Sequence, residues 1–429
     1  MSGQRNSVTR RFGIGTVVAI CSVLLVAAVG VVLSIKTPPA TGDGRLRDYS
    51  SAPDVAWTVD RDTLPGYGEG TEITVAGTWM DRWLLAYPSG LGRAYLMVSA
   101  VSGHPVWDNP IRVGLGGCAL NGDGIVGCAM RLGDHPDGFY LADLDTGKLS
   151  APTDLDATTQ VVGLGQNFVR IDDAGYRVML SKPSGEEIWT RTFASATTAR
   201  YDDGVLVATG SDGTNVVLDA ATGAGELSCT ACDISLYPTG IAVQHNTYGH
   251  EGVDFYGIVD GVLNTSQPTY RATRIQLVRG RSTLPVLTGV GEATVQDTQG
   301  HFEIRDPAKP KALWAITDPE LSKAGARPCG GAVSFALKDR SRVVYRLSDG
   351  RSLGKGPSPD VGNPDADIDQ LTCVGASPST MVFANNNQLN GFRIADGTHW
   401  ELPIIGTAQA VDGYIVLHQG QSMSVLAPN

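Results

Sequence analysis

Charge is scarce in this sequence, and positive charge is scarcer still. Charged residues make up only 18 % of the 429 positions, whereas hydrophobic residues reach 42 %. So few charges argue against a disordered chain and against a helical bundle. The 33 lysines and arginines are outnumbered by 44 acidic residues, which gives a formal net charge of −11. Because such a surface repels a phosphate backbone, nucleic acid is not expected as a partner.

Two widespread catalytic motifs are also missing. The sequence contains no P-loop and no H-E-x-x-H metal motif, so it shows no recognised nucleotide or zinc-protease site. Glycine, by contrast, is abundant, with 53 copies. This composition is typical of many short strands joined by tight turns. The sequence therefore predicts an all-β fold.

One long run lacks charge entirely. It extends from Phe12 to Ile35, about two dozen residues, and at roughly 1.5 Å per residue it can cross a hydrocarbon core of about 30 Å. A cleavable signal peptide has an apolar region of about 7–15 residues that ends at a small-residue site. This run is longer and ends in Ser34-Ile35-Lys36 without an A-x-A pattern. It predicts an uncleaved transmembrane helix over residues 12–35.

The flanks of this run predict the orientation of the chain. Arg5, Arg10 and Arg11 precede it, so residues 1–11 are expected in the cytoplasm. Residues 36–52 are rich in proline and glycine and predict a flexible tether. Residues 53–429 then form the remaining domain. We expect a single-pass protein of the cytoplasmic membrane whose C-terminal domain lies outside the cytoplasm.

A repeat runs through residues 53–429. Each copy has an apolar strand and a tight turn ending in glycine, often followed by tryptophan; the best copy is Leu218–Gly223. The turn glycines step by 44, 38 and 38 residues from Gly103 to Gly223, and by 47 from Gly350 to Gly397. The 127 residues between these groups correspond to about three steps. The turn and packing residues are Gly103, Trp107, Gly147, Gly185, Trp189, Asp219, Thr222, Gly223, Trp314, Gly350, Gly397 and Trp400.

A period of about 40–50 residues with several short strands per unit predicts a β-propeller. Asp and Thr side chains before the glycine can bond backbone amides and tighten the turn. Glycine supplies a positive φ, and tryptophan buries a large apolar area between neighbouring blades. Eight four-stranded blades are favoured and seven to nine are possible, because the unit around Gly261 is degenerate enough to be an insertion.

The two ends of the repeat region complement each other. The last unit stops at Asn429, where its turn and tryptophan strand should follow. A matching strand with Trp57 stands at the other end, at residues 54–59. We therefore expect this N-terminal strand to complete the C-terminal blade, which closes the ring and removes free sheet edges.

Six cysteines follow the predicted anchor, and an even number in an exported chain suggests disulfides. Local geometry favours one of the fifteen possible connectivities. The first two cysteines flank a hairpin turn, the next two lie three residues apart, and the last two stand at equivalent starts of successive units. The favoured pairs are Cys118 with Cys128, Cys229 with Cys232, and Cys329 with Cys373.

The apolar strand, the A-x-D-x-x-T-G turn and the tryptophan together resemble the PQQ-like (quinoprotein-type) propeller repeat, over roughly residues 53–429. The family contains quinoprotein dehydrogenases and non-enzymatic relatives, including BamB-like assembly scaffolds. The dehydrogenases carry a disulfide between adjacent cysteines and Glu, Asn and Asp ligands for calcium. This chain has no adjacent cysteine pair and is short for that class. The resemblance implies the fold, and neither PQQ nor calcium is predicted as a cofactor.

Three groups of residues could carry chemistry. Cys229 and Cys232 could form a redox-active dithiol, although a structural disulfide is favoured because a thioredoxin-like setting is missing. Alternating carboxylates could bind calcium, but Gln370 and Ala376 stand where an EF-hand-like loop needs Gly and Glu. A third cluster could hold a metal, although its spacing fits no known ligand pattern. The carboxylates are Asp360, Asp365, Asp367 and Asp369, and the third cluster is His245, His250, Glu251 and Asp254.

The sequence leaves three functional hypotheses. The first is a binding or scaffolding module that contacts a protein partner or a cell-envelope component through one face or the axial funnel. The second is an oxidoreductase or hydrolase with its site in the funnel. The third is the sensory ectodomain of a membrane complex.

Overall fold

The computed structural model describes residues 45–429, except for residues 71, 153–155, 247–250, 290–299, 319, 322–324, 338–340, 357–367 and 369–370. The predicted helix at 12–35 lies outside these residues and stays a prediction. Within the described part of the chain, no helix has the length and apolar character that a membrane span requires. Helical structure there includes one 3-10 turn, Asp173–Gly175.

The described residues form nine sheets, which are the blades of a β-propeller and are antiparallel apart from one short added strand in blade 7. The first strands of many neighbouring blades lie beside one another, as inner strands around an axis do. Blades 1 to 3 contain, in order, β2 (Thr74–Trp79), β3 (Arg82–Ser89), β4 (Gly92–Ser99) and β5 (Ile111–Gly114); β6 (Gly117–Leu120), β7 (Val126–Met130), β8 (Gly138–Ala142) and β9 (Leu149–Ser150); β10 (Gln160–Leu164), β11 (Asn167–Asp172), β12 (Arg177–Ser181) and β13 (Glu187–Thr192).

The middle blades depart from four plain strands. In blade 5, β22 adds a fifth strand beside β20, and in blade 7 the short β24 runs parallel to the inner strand. Blade 4 contains β14 (Thr197–Asp202), β15 (Val205–Gly210), β16 (Thr214–Leu218) and β17 (Gly225–Thr230); blade 5 contains β18 (Cys232–Tyr237), β19 (Gly240–His245), β20 (Gly252–Val259), β21 (Val262–Leu263) and β22 (Tyr270–Thr273); blade 6 contains β23 (Ile275–Leu277), β25 (Val286–Gly289), β26 (Gly300–Ile304) and β27 (Trp314–Asp318).

The last blades bring both ends of the described chain together. Blade 7 contains β24 (Arg281–Ser282), β28 (Arg327–Gly330), β29 (Ala332–Ala336), β30 (Arg342–Arg346) and β31 (Ser352–Gly356); blade 8 contains β32 (Thr372–Ala376), β33 (Thr380–Ala384), β34 (Gln388–Arg393) and β35 (His399–Pro403); blade 9 contains β36 (Thr407–Val411), β37 (Tyr414–Gln419), β38 (Ser422–Leu426) and β1 (Val55–Asp60).

Nine blades correct the eight favoured from the sequence. The unit around Gly261, which the sequence left open as an insertion, is blade 5. Its β20 turns at Asp260 and Gly261, both with positive φ, and pairs with β21 as an outer strand of two residues. Val259 pairs with Val262, so this hairpin turns in two residues and lacks the longer Asp–Thr–Gly turn of the other units. β22 covers the rest of the edge of β20.

Ring closure follows the prediction. β1 pairs antiparallel with β38, and Trp57 lies opposite Val425. Three strands of blade 9 come from the C-terminal part of the chain and one from the N-terminal part, so β1 covers the edge of β38 and completes the four-stranded blade.

The core lies between the blades, because each sheet packs on both faces. In β11, Phe168 packs with Phe139 of blade 2, whereas Val169 and Ile171 pack towards Leu206 of blade 4. Central strands therefore bury nearly every residue, which explains their continuous apolar runs.

Candidate functional site

A tryptophan side chain packs between neighbouring blades at several places in the ring. The side chain comes from, or just before, the outer strand of one blade, and its indole N–H donates to a turn carbonyl of the next blade, three residues before the turn glycine. The donor–acceptor distances are 2.9 Å for Trp57 to Ala100, 2.8 Å for Trp107 to Leu144, 3.0 Å for Trp189 to Ala220 and 2.8 Å for Trp314 to Leu347. We call each contact region between neighbouring blades a joint.

The turn glycines are required at these joints for two reasons. Gly223 has a φ of 70°, and a Cβ there would lie 2.6 Å from the Trp189 ring. Gly103, Gly147 and Gly350 stand in the same relation to Trp57, Trp107 and Trp314. Gly185 and Gly397 have the same positive φ, and the blades before them lack an outer-strand tryptophan.

The predicted Asp–Thr turn has the geometry that its sequence favours. Asp219 Oδ1 accepts hydrogen bonds from the Thr222 hydroxyl at 2.8 Å and from the Thr222 backbone N–H at 2.6 Å. The hydroxyl bond, with the backbone bonds, holds the pKa of Asp219 below its ordinary value. This side chain orders the turn that receives Trp189.

The joint between blades 8 and 9 lacks the turn that accepts the indole N–H at the other joints. In blade 9 this turn would connect β38 to β1, but these two strands are not consecutive in the sequence. Residues 45–52, which we call the N-terminal strap, provide the acceptor: Trp400 Nε1 donates to the Tyr49 carbonyl at 2.8 Å. The strap therefore completes a joint that ring closure leaves open.

Tyr49 fixes the strap through its hydroxyl group. The hydroxyl donates to the Leu426 carbonyl and accepts from the Ile415 N–H, each at 3.0 Å. Tyr49 is fully buried, and this burial raises its pKa to about 12. The phenol joins two strands of blade 9 to a segment that precedes the propeller.

Further contacts hold the strap along its length. Leu46 is buried and its N–H donates to the Ala376 carbonyl at 2.9 Å. The Arg47 guanidinium lies 3.7 Å from the centroid of the Tyr414 ring. The sequence predicts a solvated tether over 36–52, and its residues 45–52 instead pack on the propeller because Tyr49 and Leu46 bury apolar surface there.

The joint between blades 7 and 8 is built differently. Leu353 follows Gly350 by three residues, the spacing at which Trp400 follows Gly397. In the strand register, Trp400 pairs with Gly391, six residues before Gly397, and Gly354 pairs with Val344, six residues before Gly350. Gly354 thus stands at the tryptophan position of this blade, and Leu353 lies next to it in a β-bulge. The space at this joint is a groove of about 470 Å³. Its lining residues are Arg45, Thr283, Gly330, Gly331, Ala332, Arg346, Ser348, Leu353, Ala376, Ser377, Pro378 and Ile394.

The groove combines apolar walls with cationic groups. Ala332, Ala376 and Ile394 are buried, and Leu353 is half-buried. Arg346 Nη1 lies 3.3 Å from Asp349 Oδ2, and both side chains are nearly half exposed. Such an exposed ion pair is weak, so the guanidinium can interact with a second anion. Arg45 brings the strap to the groove, where its backbone forms a bridge with Ala376.

A disulfide ties the same joint on its inner side. Cys329 in β28 is bonded to Cys373 in β32, which links the inner strands of blades 7 and 8. Cys229–Cys232 likewise links blade 4 to blade 5, at another joint without a tryptophan. The third pair, Cys118–Cys128, joins neighbouring strands within blade 2.

These three disulfides are the connectivity favoured from the sequence. Two of them cross joints without an outer-strand tryptophan, which are joints 4–5 and 7–8. The described residues of joints 2–3 and 5–6 have neither an outer-strand tryptophan nor a disulfide. Cys229 and Cys232 lie on strands β17 and β18, which places the pair away from any helix N-terminus.

The groove belongs to a basic sector of an acidic protein. Residues 271–355, which cover most of blades 6 and 7, contain 15 lysines and arginines and 8 acidic residues, although the whole chain carries −11. An anion approaching the ring is therefore favoured at this sector over the other blades.

The other predicted clusters are placed elsewhere. His245 Nε2 lies 3.2 Å from Asp254 Oδ2, and Arg271 donates to both oxygens of Asp254 at 2.7 and 2.9 Å. Because Arg271 already neutralises Asp254, this cluster is an ion network that joins β19, β20 and β22. His250 and the carboxylates at 360, 365, 367 and 369 lie outside the described residues. Among the described residues, no group of three or more His, Cys, Asp or Glu side chains could hold a metal.

One sequence pattern near the groove resembles a hydrolase motif. Residues 350–354 have the form G-x-S-x-G. Ser352 is the first residue of β31 and pairs with Tyr345 across a hairpin. A nucleophile elbow requires a strand-to-helix turn, so this serine does not occupy one.

Comparisons with known proteins add no argument to the strand pairing described above. No protein family and no curated protein matches the sequence. Among solved structures, the chain is similar to BamB from Moraxella catarrhalis, with 12 % identity over 88 % of this chain and 98 % of that chain and a TM-score of 0.44. It is also similar to the quinohemoprotein alcohol dehydrogenase ADHIIG from Pseudomonas putida HK5, with 11 % identity over 90 % and 80 % of the chains and a TM-score of 0.40.

Both of these proteins have PQQ-like propeller folds. The computationally designed Ika8 protein is similar as well, with 13 % identity over 87 % of this chain and 99 % of that chain and a TM-score of 0.41. Likeness at this level carries no inference about activity, and the propeller assignment rests on the strand pairing described above.

Proposed function

We propose that this chain is a membrane-anchored β-propeller that acts outside the cytoplasm as a protein-binding or scaffolding module of the cell envelope. The observation that carries the proposal is the ring itself, which is closed by β1 and cross-linked by three disulfides. Disulfides of this kind persist in oxidising compartments, and a rigid closed ring suits the presentation of fixed binding surfaces.

The strap limits the reach between the propeller and the proposed anchor. Its contacts extend from blade 9 to the side of the groove, where Arg45 is a lining residue. Only ten residue steps separate Arg45 from Ile35 in the sequence, and such a length of chain spans at most about 35 Å.

Membrane association and partner binding can be tested on the full chain with a C-terminal tag. We expect the chain to stay in the membrane fraction after alkaline carbonate extraction, and external protease to reach the tag in spheroplasts. Cross-linking in intact cells should then co-purify a defined partner. Release by carbonate together with a cytoplasmic tag would overturn the proposed location, and a chain that cross-links to nothing would overturn the scaffold role.

A further inference from the structure

We propose that the groove between blades 7 and 8 binds an anionic amphiphile, a molecule with a phosphate or carboxylate head and a short apolar body. This inference deepens the proposed function by naming the chemistry of one cell-envelope ligand. It rests on that function for the nearness of a membrane, whereas the groove itself rests on the geometry of the joint.

The space exists because an indole is missing. Five joints are packed by an outer-strand tryptophan, whereas Gly354 occupies the paired position here and Leu353 next to it lines the groove. Neither residue supplies the two rings of an indole, so part of the joint is left unfilled. The resulting volume of about 470 Å³ falls in the range of small-ligand sites.

The joint can keep this space because it is held in another way. The Cys329–Cys373 disulfide links the two inner strands, and Cys329 is fully buried. Blades 7 and 8 therefore stay together without the packing energy of an indole. A binding groove between two blades requires free space and a connection that does not depend on packing. The Cys329–Cys373 disulfide provides this connection.

The polar groups around the groove select an anion. Arg346 contributes a guanidinium whose partner is the exposed Asp349, and Thr283 and Ser348 add hydroxyl groups. The acidic residue of the strap, Asp48, accepts hydrogen bonds from Ser377 and Ser379 and is already satisfied by these groups. Guanidinium groups bind phosphate and carboxylate in the same bidentate way, so both heads belong to one ligand chemistry.

The walls select a ligand with an apolar body. Ala332, Ala376 and Ile394 are buried around the groove and Leu353 faces the same space, so a bare inorganic anion would leave this surface without contact. An alkyl chain of a few carbons would cover it, and each buried methylene contributes about 0.8 kcal/mol.

Hexyl phosphate is a suitable probe. We would titrate it by calorimetry into the full chain in phosphatidylcholine nanodiscs, with empty nanodiscs as the blank. The wild-type chain should bind hexyl phosphate at least about tenfold more tightly than it binds inorganic phosphate or hexanol. Inorganic phosphate lacks the alkyl chain, and hexanol lacks the anionic head. Equal affinity for hexyl phosphate and inorganic phosphate would contradict the proposal that the ligand is an amphiphile.

Two variants test the groove, and one matched variant is the control. Arg346→Gln should weaken hexyl phosphate binding by about tenfold because it removes the cation. Leu353→Trp should abolish binding by filling the joint. Arg393→Gln removes the same charge at the equivalent turn of blade 8, where Arg393 pairs with Asp396 at 3.1 Å outside the groove lining. It should change the affinity by less than about twofold.

Melting temperatures distinguish a loss of binding from a loss of folding. Unchanged melting temperatures of Arg346→Gln and Arg393→Gln exclude a folding effect. If Arg346→Gln and Leu353→Trp both bind hexyl phosphate as the wild type does, the groove is not the site and the proposal is wrong.

The source of the ligand is tested by adding phosphatidylglycerol to the nanodiscs. If a lipid head occupies the groove, this lipid should weaken hexyl phosphate binding by competition; without competition, the natural ligand is a free amphiphile. Carbonate extraction reports on the anchor separately, so a chain that is released from membranes and still binds hexyl phosphate would overturn the proposed location and support the groove.

Discussion

Blade 8 is held to its two neighbours by different kinds of interaction. Towards blade 9, Trp400 packs into the joint and donates to Tyr49 of the N-terminal strap. Towards blade 7, the outer strand β31 has Gly354 at the tryptophan position and the Cys329–Cys373 disulfide carries the connection. The first joint is packed by a distant part of the chain, whereas the second is tied covalently and contains a groove.

The difference shows how a repeat protein can gain a site without losing its ring. Each blade must be fixed to its neighbours, but the interaction that fixes it can be apolar packing or a covalent bond. Where the covalent bond is present, the packing residue is free to change. The open joint and the strap also meet, because Arg45 lies at the groove.

The largest expected effect comes from removing the covalent tie. In the chain-entropy treatment, the 44-residue loop closed by Cys329–Cys373 contributes about 4 kcal/mol, and the three-residue loop of Cys229–Cys232 contributes about 2 kcal/mol. We therefore expect the double variant Cys329→Ser/Cys373→Ser to lose about twice as much free energy of unfolding in denaturant titrations as Cys229→Ser/Cys232→Ser. Equal losses would show that the open joint does not depend on its disulfide.

The next effect concerns the strap. Tyr49→Phe removes the hydroxyl group that joins Leu426 and Ile415 and leaves both backbone groups buried without it. We expect a loss of about 1–3 kcal/mol in the free energy of unfolding. Tyr176→Phe is the control, since Tyr176 is 46 % exposed and should change nothing. A strap that contributes nothing to joint 8–9 would give the same small change in both variants.

The strap should also make the protein sensitive to alkali. The pKa of Tyr49 is about 12 in the folded chain against an ordinary value of about 10, so its contribution is complete below pH 10 and is lost as pH rises towards 12. The wild type should lose up to about 1.4 kcal/mol per pH unit more than Tyr49→Phe in this window. Tyr87, whose pKa burial also raises to about 12, remains in both proteins and cancels in the difference. Parallel curves for the two proteins would contradict the coupling.

The smallest effect is a gain. Leu353→Trp introduces an indole at the groove of joint 7–8, and filling the space should raise the free energy of unfolding by about 1 kcal/mol. Leu227→Trp is a comparison at the corresponding outer strand of blade 4, also at a joint without an indole, where the disulfide Cys229–Cys232 lies two residues away. Thermal melting of both variants checks this point. A marked destabilisation by Leu353→Trp alone would show that the groove has no room for an indole.

Much of this architecture could be predicted from the repeat. The turn formed by Asp219, Thr222 and Gly223 depends on neighbours in the sequence, so its chemistry is visible in each copy. The disulfide pairs followed from a hairpin, a short spacing and the equivalence of Cys329 and Cys373 in successive units. Closure by the Trp57 strand followed from an incomplete last unit. The blade count was wrong by one because the outer hairpin of blade 5 turns in two residues and lacks the turn pattern of the repeat.

The sequence predicts a propeller, its closure and the favoured cysteine pairs, because these features follow from local turns and a regular period. The strap and the groove depend on tertiary packing. The Tyr49 side chain is buried against Ile415 and Leu426, and its carbonyl accepts a hydrogen bond from Trp400, 351 positions away. Leu353 is an ordinary apolar residue in the sequence, and the space beside it exists only when blade 8 stands next to it. Packing between blades depends on residues that are far apart in the sequence, so no local pattern of residues predicts what fills a joint.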